Sequence, residues 1–423
     1  MKNGCLPEKK STKELILKAA FSFYIKPYIR DFSMSELAAK VGLSKPAIYR
    51  HFKSKAELQN EMRSRFFYLI AQVLKEAQEN SGKFSGKSSG GKIYLESLIE
   101  FLAENIQYIN YFICEVTVEH DFFDLMDKNL ALCGVMKKME DIIDLKDEVY
   151  SRARSSFVGI SILFFIKARR DAAARNENVA GVKQFASSIV EFLGKGLRGF
   201  SKKGEAAWPS EISENRILEL ERLCSIKNLG LPEESKIFKA IASVIRKFST
   251  SGVTVERIAG ELGMAKSSLY FYFENKNQMI FSLVKKEVSL LFTICQENMA
   301  EARNFSELVY INLMTEINFF LERSSMLSIC GWLLQTSNEN EFVHNDDEEF
   351  EQNSKWSKAL KEVVPRLGFG FKIEPDILRF WVGSLPVAAT VLKFYANFND
   401  EQIVQTVKYL FGFVENGVWE ENR

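Results

Sequence analysis

Histidine is scarce, with three in 423 residues at positions 51, 120 and 344. They lie too far apart in sequence to form a ligand or acid–base pattern, and there is no Gly-rich phosphate loop, nucleophile elbow or metal-ligand cluster. This inventory argues against an enzyme and calls for no cofactor and no metal. The six cysteines, at 5, 114, 133, 224, 295 and 330, form no close pair. That excludes zinc-finger spacings and the redox dithiol motif and fits a reducing compartment. Excess charge is missing too: 56 Lys+Arg face 55 Asp+Glu, net +1, so any nucleic-acid surface must be a local patch. No apolar run reaches the ~20 residues of a membrane span. The longest, 157–166 and 380–392, are bounded by Arg or Lys and read as buried helices, so no membrane partner is expected. The opening MKNGCLPEKKSTKE has no apolar stretch of a secretory signal, and the expected address is cytoplasmic.

What is abundant is core material: 35 Phe and 13 Tyr exclude a disordered chain. The length predicts two to four domains. Strand alternation is hard to find, whereas 92–113 places Ile93, Leu95, Leu98, Phe101, Leu102, Ile106, Ile109 and Phe112 at helical steps. An all-α protein is expected. The Gly/Ser-rich stretch 79–92 reads as a flexible connection, and the acidic stretch 338–353 as a solvated loop.

The chain also repeats. Shifted by 221 positions, LAAKVGLSKPAIYRHFKSKAEL (37–58) falls on IAGELGMAKSSLYFYFENKNQM (258–279). Ala38/Ala259, Gly42/Gly263, Lys45/Lys266, Tyr49/Tyr270, Phe52/Phe273 and Lys55/Lys276 are identical. The same shift pairs Phe192 with Phe413 and Gly196 with Gly417, and a slip of three more pairs 157–159 with 381–383, so the repeat covers whole halves.

Residues 33–55 read as a helix-turn-helix. Ser33 and Glu36 form a capping box, Gly42 makes the turn, Ser44 caps the second helix, and Pro46 is tolerated in its first turn. Ile48 and Phe52 face a small core with Leu37, Ala38 and Val41, while Lys45, Ala47, Tyr49 and Arg50 point outward. SMSELAAKVGLSKPAIYRHFKSKAEL resembles the DNA-binding signature of the TetR/AcrR family of bacterial transcriptional regulators, and TVERIAGELGMAKSSLYFYFENKNQM resembles it almost as well.

The resemblance implies two tandem TetR-like halves, each a helix-turn-helix domain followed by a helical ligand-binding and dimerisation domain. The implied domains are 1–65, 66–200, a linker at 201–232 with a short helix in ENRILELERLCS, 233–287 and 288–423. It implies double-stranded DNA and an unknown small-molecule effector as partners, and a repressor released by a small apolar ligand. In the first copy Ser33 would cap and touch a phosphate, Ser44 would cap the second helix, Lys45, Pro46, Ala47 and Arg50 would approach bases, and Tyr49, His51 and Lys55 would hold the backbone. The second copy's counterparts are Thr254; Lys266, Ser267, Ser268 and Phe271; and Tyr270, Tyr272 and Lys276. Tyr49 and Tyr270 could instead simply pack beneath their helices.

Family members close with two helices that bundle between subunits, and 149–170, 180–199, 376–396 and 400–418 resemble them. An intramolecular pseudo-dimer on an asymmetric operator is the expectation, with a homodimer as the other arrangement. The interior aromatics Phe101, Tyr108, Phe112, Phe122, Phe319, Phe320 and Trp332 read first as core. The copies depart from the family and from each other. Tyr28 and Ser249 stand where the family has Gly, Ala265 replaces the capping Ser44, and Phe271 replaces Arg50. Residues 1–65 carry 14 Lys+Arg and 6 Asp+Glu, net +8, against 9 and 6, net +3, in 233–287. These differences keep open an alternative: a helical ligand sensor or interaction protein whose helix-turn-helix motifs, the second above all, no longer bind DNA.

Overall fold

The computed structural model describes residues 11–25, 32–81, 89–112, 128–129, 131–134, 148–200, 211–227, 229–248, 253–273, 275–326, 328–329, 355–367, 369 and 371–419. Among them there are helices and no strands, so the all-α expectation holds. The chain divides into two compact units, Met1–Ile143 and Asp144–Arg423.

The first unit contains α1 (Thr12–Phe21), α2 (Met34–Val41), α3 (Lys45–His51), α4 (Lys55–Ser81), α5 (Ser89–Glu104) and α6 (Ile106–Tyr111). Its first four helices enclose Ile16, Leu17, Ala20, Leu37, Ala38, Ile48, Phe52, Leu58 and Met62, all nearly inaccessible to water. Below this core Phe21 meets the edges of Tyr108 and Tyr111 at 4.9 and 5.0 Å between ring centroids. The 92–113 stretch, helical in its periodicity, is broken at Asn105. Its backbone leaves the helical region (φ −128°, ψ 62°), and its side-chain Nδ2 donates to the Phe101 carbonyl at 2.8 Å. A side chain that satisfies a helix-end carbonyl competes with continuation of the helix. The helices also run into the 79–92 stretch from both sides, to Ser81 and from Ser89. The 338–353 stretch lies outside the described residues.

The second unit begins with the closing helices of the first half, α7 (Glu148–Ala174) and α8 (Val182–Lys195). Then come α9 (Glu214–Leu223), α10 (Lys236–Phe248), α11 (Val255–Leu262), α12 (Lys266–Tyr272), α13 (Lys276–Ala300) and α14 (Phe305–Glu322). The unit ends with α15 (Lys355–Val363), α16 (Pro375–Tyr395) and α17 (Asp400–Asn416). The unit boundary thus falls inside 66–200, because α7 packs along both α16 and α17, and α8 packs against α7 and α17. In α8 the buried Phe185, Ala186, Ile189, Val190, Phe192 and Leu193 recur at three- and four-residue steps.

α7 is long and apolar enough to cross a membrane by length and composition. Its apolar residues Phe157, Ile162, Phe165 and Ile166 are covered by protein, and Arg152, Arg154, Lys167, Arg169 and Arg170 flank them. Repeat-related residues meet in this bundle. Phe157 lies 5.9 Å from Trp381, whose indole Nε1–H donates to Ser161 Oγ at 3.0 Å.

The linker helix is not a free tether. Leu220 and Cys224 are fully buried, and the Arg216 guanidinium grips the Glu307 carboxylate at 2.9 to 3.3 Å. The same guanidinium reaches Glu219 and the Glu301 carbonyl. This bidentate, charge-assisted pairing fixes α9 on α14.

The two halves join most tightly where α8 and α17 end. Gly196 (φ 57°, ψ −162°) and Gly417 (φ 75°, ψ −175°) both combine a positive φ with an extended ψ, a backbone that essentially only glycine adopts. A Cβ on Gly196 would fall 2.5 Å from the Gly417 nitrogen, and one on Gly417 would collide with the Gly194 carbonyl. Val418 N–H donates to the Leu193 carbonyl at 2.8 Å, and Arg198 Nε donates to Asn416 Oδ1 at 2.9 Å. Gly417→Ala should therefore lower unfolding stability by about 2 kcal/mol or more, the backbone strain alone accounting for about 1 to 3. Denaturant unfolding followed by circular dichroism measures it, and a loss below about 0.5 kcal/mol would contradict the close approach.

Candidate nucleic-acid interface

Both helix-turn-helix units are built on one plan. The first helices, α2 and α11, and the second, α3 and α12, occupy positions related by the same 221-residue shift. Between them Gly42 (φ 75°) and Gly263 (φ 64°) make the left-handed turn. Ser33 caps α2 with the full box: Glu36 N–H donates to Ser33 Oγ at 3.1 Å, and Ser33 N–H donates to Glu36 Oε2 at 2.7 Å. That second bond holds the Glu36 carboxyl below its ordinary value. Thr254 caps α11 through Arg257 N–H at 3.3 Å, but an arginine at that place cannot return the bond.

The second helices are pinned by one apolar residue each, Ile48 and Leu269, both essentially inaccessible. Phe52 closes the first copy beneath the Lys13 ammonium. Val41, expected in the core, is only half-buried. On the opposite face Lys45, Pro46, Tyr49, Arg50 and His51 are exposed, and Ala47 is half-buried. In the second copy Lys266, Ser267, Tyr270 and Phe271 are exposed, and Ser268 is half-buried. Tyr272 ends α12, and its side chain lies outside the described residues. Tyr49 and Tyr270 are 40% and 46% exposed. Lys55 and Lys276 are half-buried. The Lys55 ammonium lies 5.5 Å from the Phe32 ring centre, and Lys276 Nζ donates to the Val253 carbonyl at 3.0 Å.

The main surprise is electrostatic. Lys266, identical to Lys45 in the repeat, is ion-paired with Glu256, which replaces Ser35 of the first copy. The pairing lowers the Glu256 carboxyl and raises the Lys266 amine. Likewise Glu261, which replaces Lys40, accepts from Lys247 at 2.7 Å and from Ser243 at 2.6 Å. The carboxylates at 256 and 261 were the signal available in the sequence, but their partners lie on neighbouring helices. Tyr28 and Ser249, where the family has Gly, are outside the described residues.

A family model for the bacterial regulatory proteins of the tetR family matches residues 16–62 and again 237–283. The chain contains TetR-family DNA-binding domains. It carries the family's N-terminal domain twice, at the head of two tandem TetR-like halves, and so falls among DNA-binding transcriptional regulators. No curated protein matches the chain.

Beyond the two TetR-family motifs, the interior holds the expected aromatics. Phe319 and Phe320 are buried, and Phe101 stacks on Tyr108 at 5.4 Å. Phe122 and Trp332 are outside the described residues. The sequence reading missed the acids of the second half. Desolvation pushes the Glu316 carboxyl up to about 8, while Asn312 Nδ2 donates to it at 2.8 Å. Burial also lifts Glu415, which accepts from Ser306 Oγ at 3.0 Å, to about 8. Among the cysteines, burial pushes the Cys224 thiol up to about 12 and the Cys295 thiol well above its ordinary range, so both pack as small apolar groups.

The unequal caps of α3 and α12 give a direct test. Ser44 Oγ accepts from Ala47 N–H at 3.3 Å, whereas Ala265 already has cap backbone geometry (φ −71°, ψ 145°) and no side-chain acceptor. Ala265→Ser should stabilise the chain by about 1 kcal/mol and Ser44→Ala should destabilise it by about as much. Urea midpoints at constant slope report both, and a neutral Ala265→Ser would contradict the missing cap.

Proposed function

We propose that this TetR-family chain is a cytoplasmic repressor that works as a single-chain pseudo-dimer on an asymmetric operator and is released by a small, largely apolar effector. The observation that carries the reading is the bundle of α7 and α8 with α16 and α17, in which repeat-related Phe157 and Trp381, and Gly196 and Gly417, meet within one chain. In the family such helices join two subunits. Here that face is occupied internally, so a second copy is not required to supply the second recognition helix. The residues offered to DNA would be those of the 33–55 and 254–276 sets, α3 and α12 each entering a major groove. The aromatic and aliphatic interior of each half, with Glu316 as one polar group, supports the effector reading. Transcription from the chain's own promoter with purified protein tests repression: activation or indifference would count against it.

Two outcomes follow from the unlike copies. The first copy exposes cations, whereas the second ties Lys266 to Glu256. Glu256→Gln should therefore tighten DNA binding and steepen the log–log salt dependence by about one unit, while Ser35→Ala leaves the slope in place. An unchanged slope in Glu256→Gln would remove that ion pair from the DNA surface.

The second concerns operator symmetry. KPAIYRHF and KSSLYFYF present different groups to base edges, so one monomer should cover two unlike half-sites. Selection from random duplexes, with the mass of the complex measured, decides this. A perfect inverted repeat bound by two chains, each through α3 alone, would refute the pseudo-dimer.

A further inference from the structure

Phe271 is 84% exposed, more than any other large apolar side chain among the described residues. α12 is pinned by Leu269, and the matching place in α3 holds Arg50. Nearby on the same helix-turn-helix, Met264 and Tyr270 are 40% and 46% exposed, and Ser267 is exposed. The only cation of α12, Lys266, is held by Glu256. The outer face of α12 therefore carries hydroxyls, an ion-paired lysine and one large apolar ring, where the outer face of α3 carries a guanidinium.

The major groove presents hydrogen-bond donors and acceptors on every base pair but a single apolar handle, the C5 methyl group of thymine. A guanidinium is matched to guanine O6 and N7, and a phenyl ring has no donor or acceptor to match them. Resting on the DNA-binding reading above, we propose that Phe271 is a specificity-determining residue that packs on a thymine methyl, so that thymine defines the half-site under α12 while Arg50 reads guanine under α3. The second copy then obtains from apolar contact part of what the first obtains from charge.

The experiment removes the methyl group without altering base pairing. A duplex selected by the intact chain from a random library is resynthesised with dU in place of dT, one half-site at a time, and affinities are measured by fluorescence anisotropy at fixed salt. Replacement in the half under α12 should weaken binding about fourfold per contacted methyl, the factor equivalent to burying one such group. Phe271→Ala should bind the dT and dU forms of that half equally, and any dU effect in the other half should persist. Phe271→Arg should move the selected base toward guanine. The exposed position makes both variants safe for folding, which circular dichroism checks. Equal affinity of the intact chain for the two forms, or a dT preference that survives Phe271→Ala, would overturn the assignment while leaving DNA binding intact. Failure of the intact chain to enrich any duplex would overturn the DNA-binding reading and this proposal with it.

Discussion

The join between the halves depends on two glycines that touch. Gly196 and Gly417 end α8 and α17 with a positive φ that glycine alone tolerates there, and their backbones approach closer than any Cβ would permit. That contact lets Val418 bond to the Leu193 carbonyl and lets the Trp419 ring lie over Gly194, where a side chain would collide with it. With the helix ends locked, the bundle behind them can close. Trp381 then sits fully buried among Phe157, Phe165 and Phe192, its indole nitrogen satisfied by Ser161. A buried indole without such an acceptor would carry an uncompensated donor. Only one of these contacts, the glycine pair, joins residues that the 221-residue shift itself superposes. Trp381 meets its counterpart Phe157 through a slip of three, and the hydrogen bonds are one-sided, so the bundle is approximately rather than strictly symmetric.

The two helix-turn-helix units show what the shared plan does and does not hold fixed. Ala38/Ala259, Gly42/Gly263 and the Ile48/Leu269 pair keep the turn and the pinning contact, because each is buried or in a left-handed conformation. Substitution at the outward positions costs the fold little, the largest loss being the cap at Ala265, about 1 kcal/mol. There Ser35 becomes Glu256, Lys40 becomes Glu261, Ser44 becomes Ala265 and Arg50 becomes Phe271. The net effect is a second surface with its cations engaged and a large ring in water. Exposed ion pairs of this kind add little to stability, so their consequence lies in what the surface can attract.

How much of this was legible in the sequence follows from the range of each interaction. The repeat, the capping box of Ser33, the turn glycines and the four closing helices are set by short-range patterns, and all were readable. The glycine pairing Gly196/Gly417 was visible as a repeat, but that the two residues touch was not, since 221 positions separate them. The break at Asn105 escaped because a single side chain bonding to Phe101 outweighs the periodicity of the residues around it. The docking of α9 escaped because Arg216 finds Glu307 91 residues away. At the candidate site, residue types and exposure were readable from position. The state of Lys266 was not: it looks identical to Lys45, and its difference lies in Glu256, ten residues earlier and on another helix.

That last case bears on how a duplicated binding motif should be read. An identity between copies at a surface lysine records a shared position, not a shared charge available to a ligand. For Lys266 the available charge is reduced by a carboxylate that the first copy does not have, and for Lys276 the amine is bonded to a backbone carbonyl of its own domain. Since the phosphate backbone supplies most sequence-independent affinity, a copy whose cations are engaged must rely more on contacts that distinguish bases. On the proposed DNA-binding reading, the second helix-turn-helix is therefore the weaker anchor, whereas the first, with Lys45, Arg50 and His51 exposed, has charge available both to phosphates and to guanine.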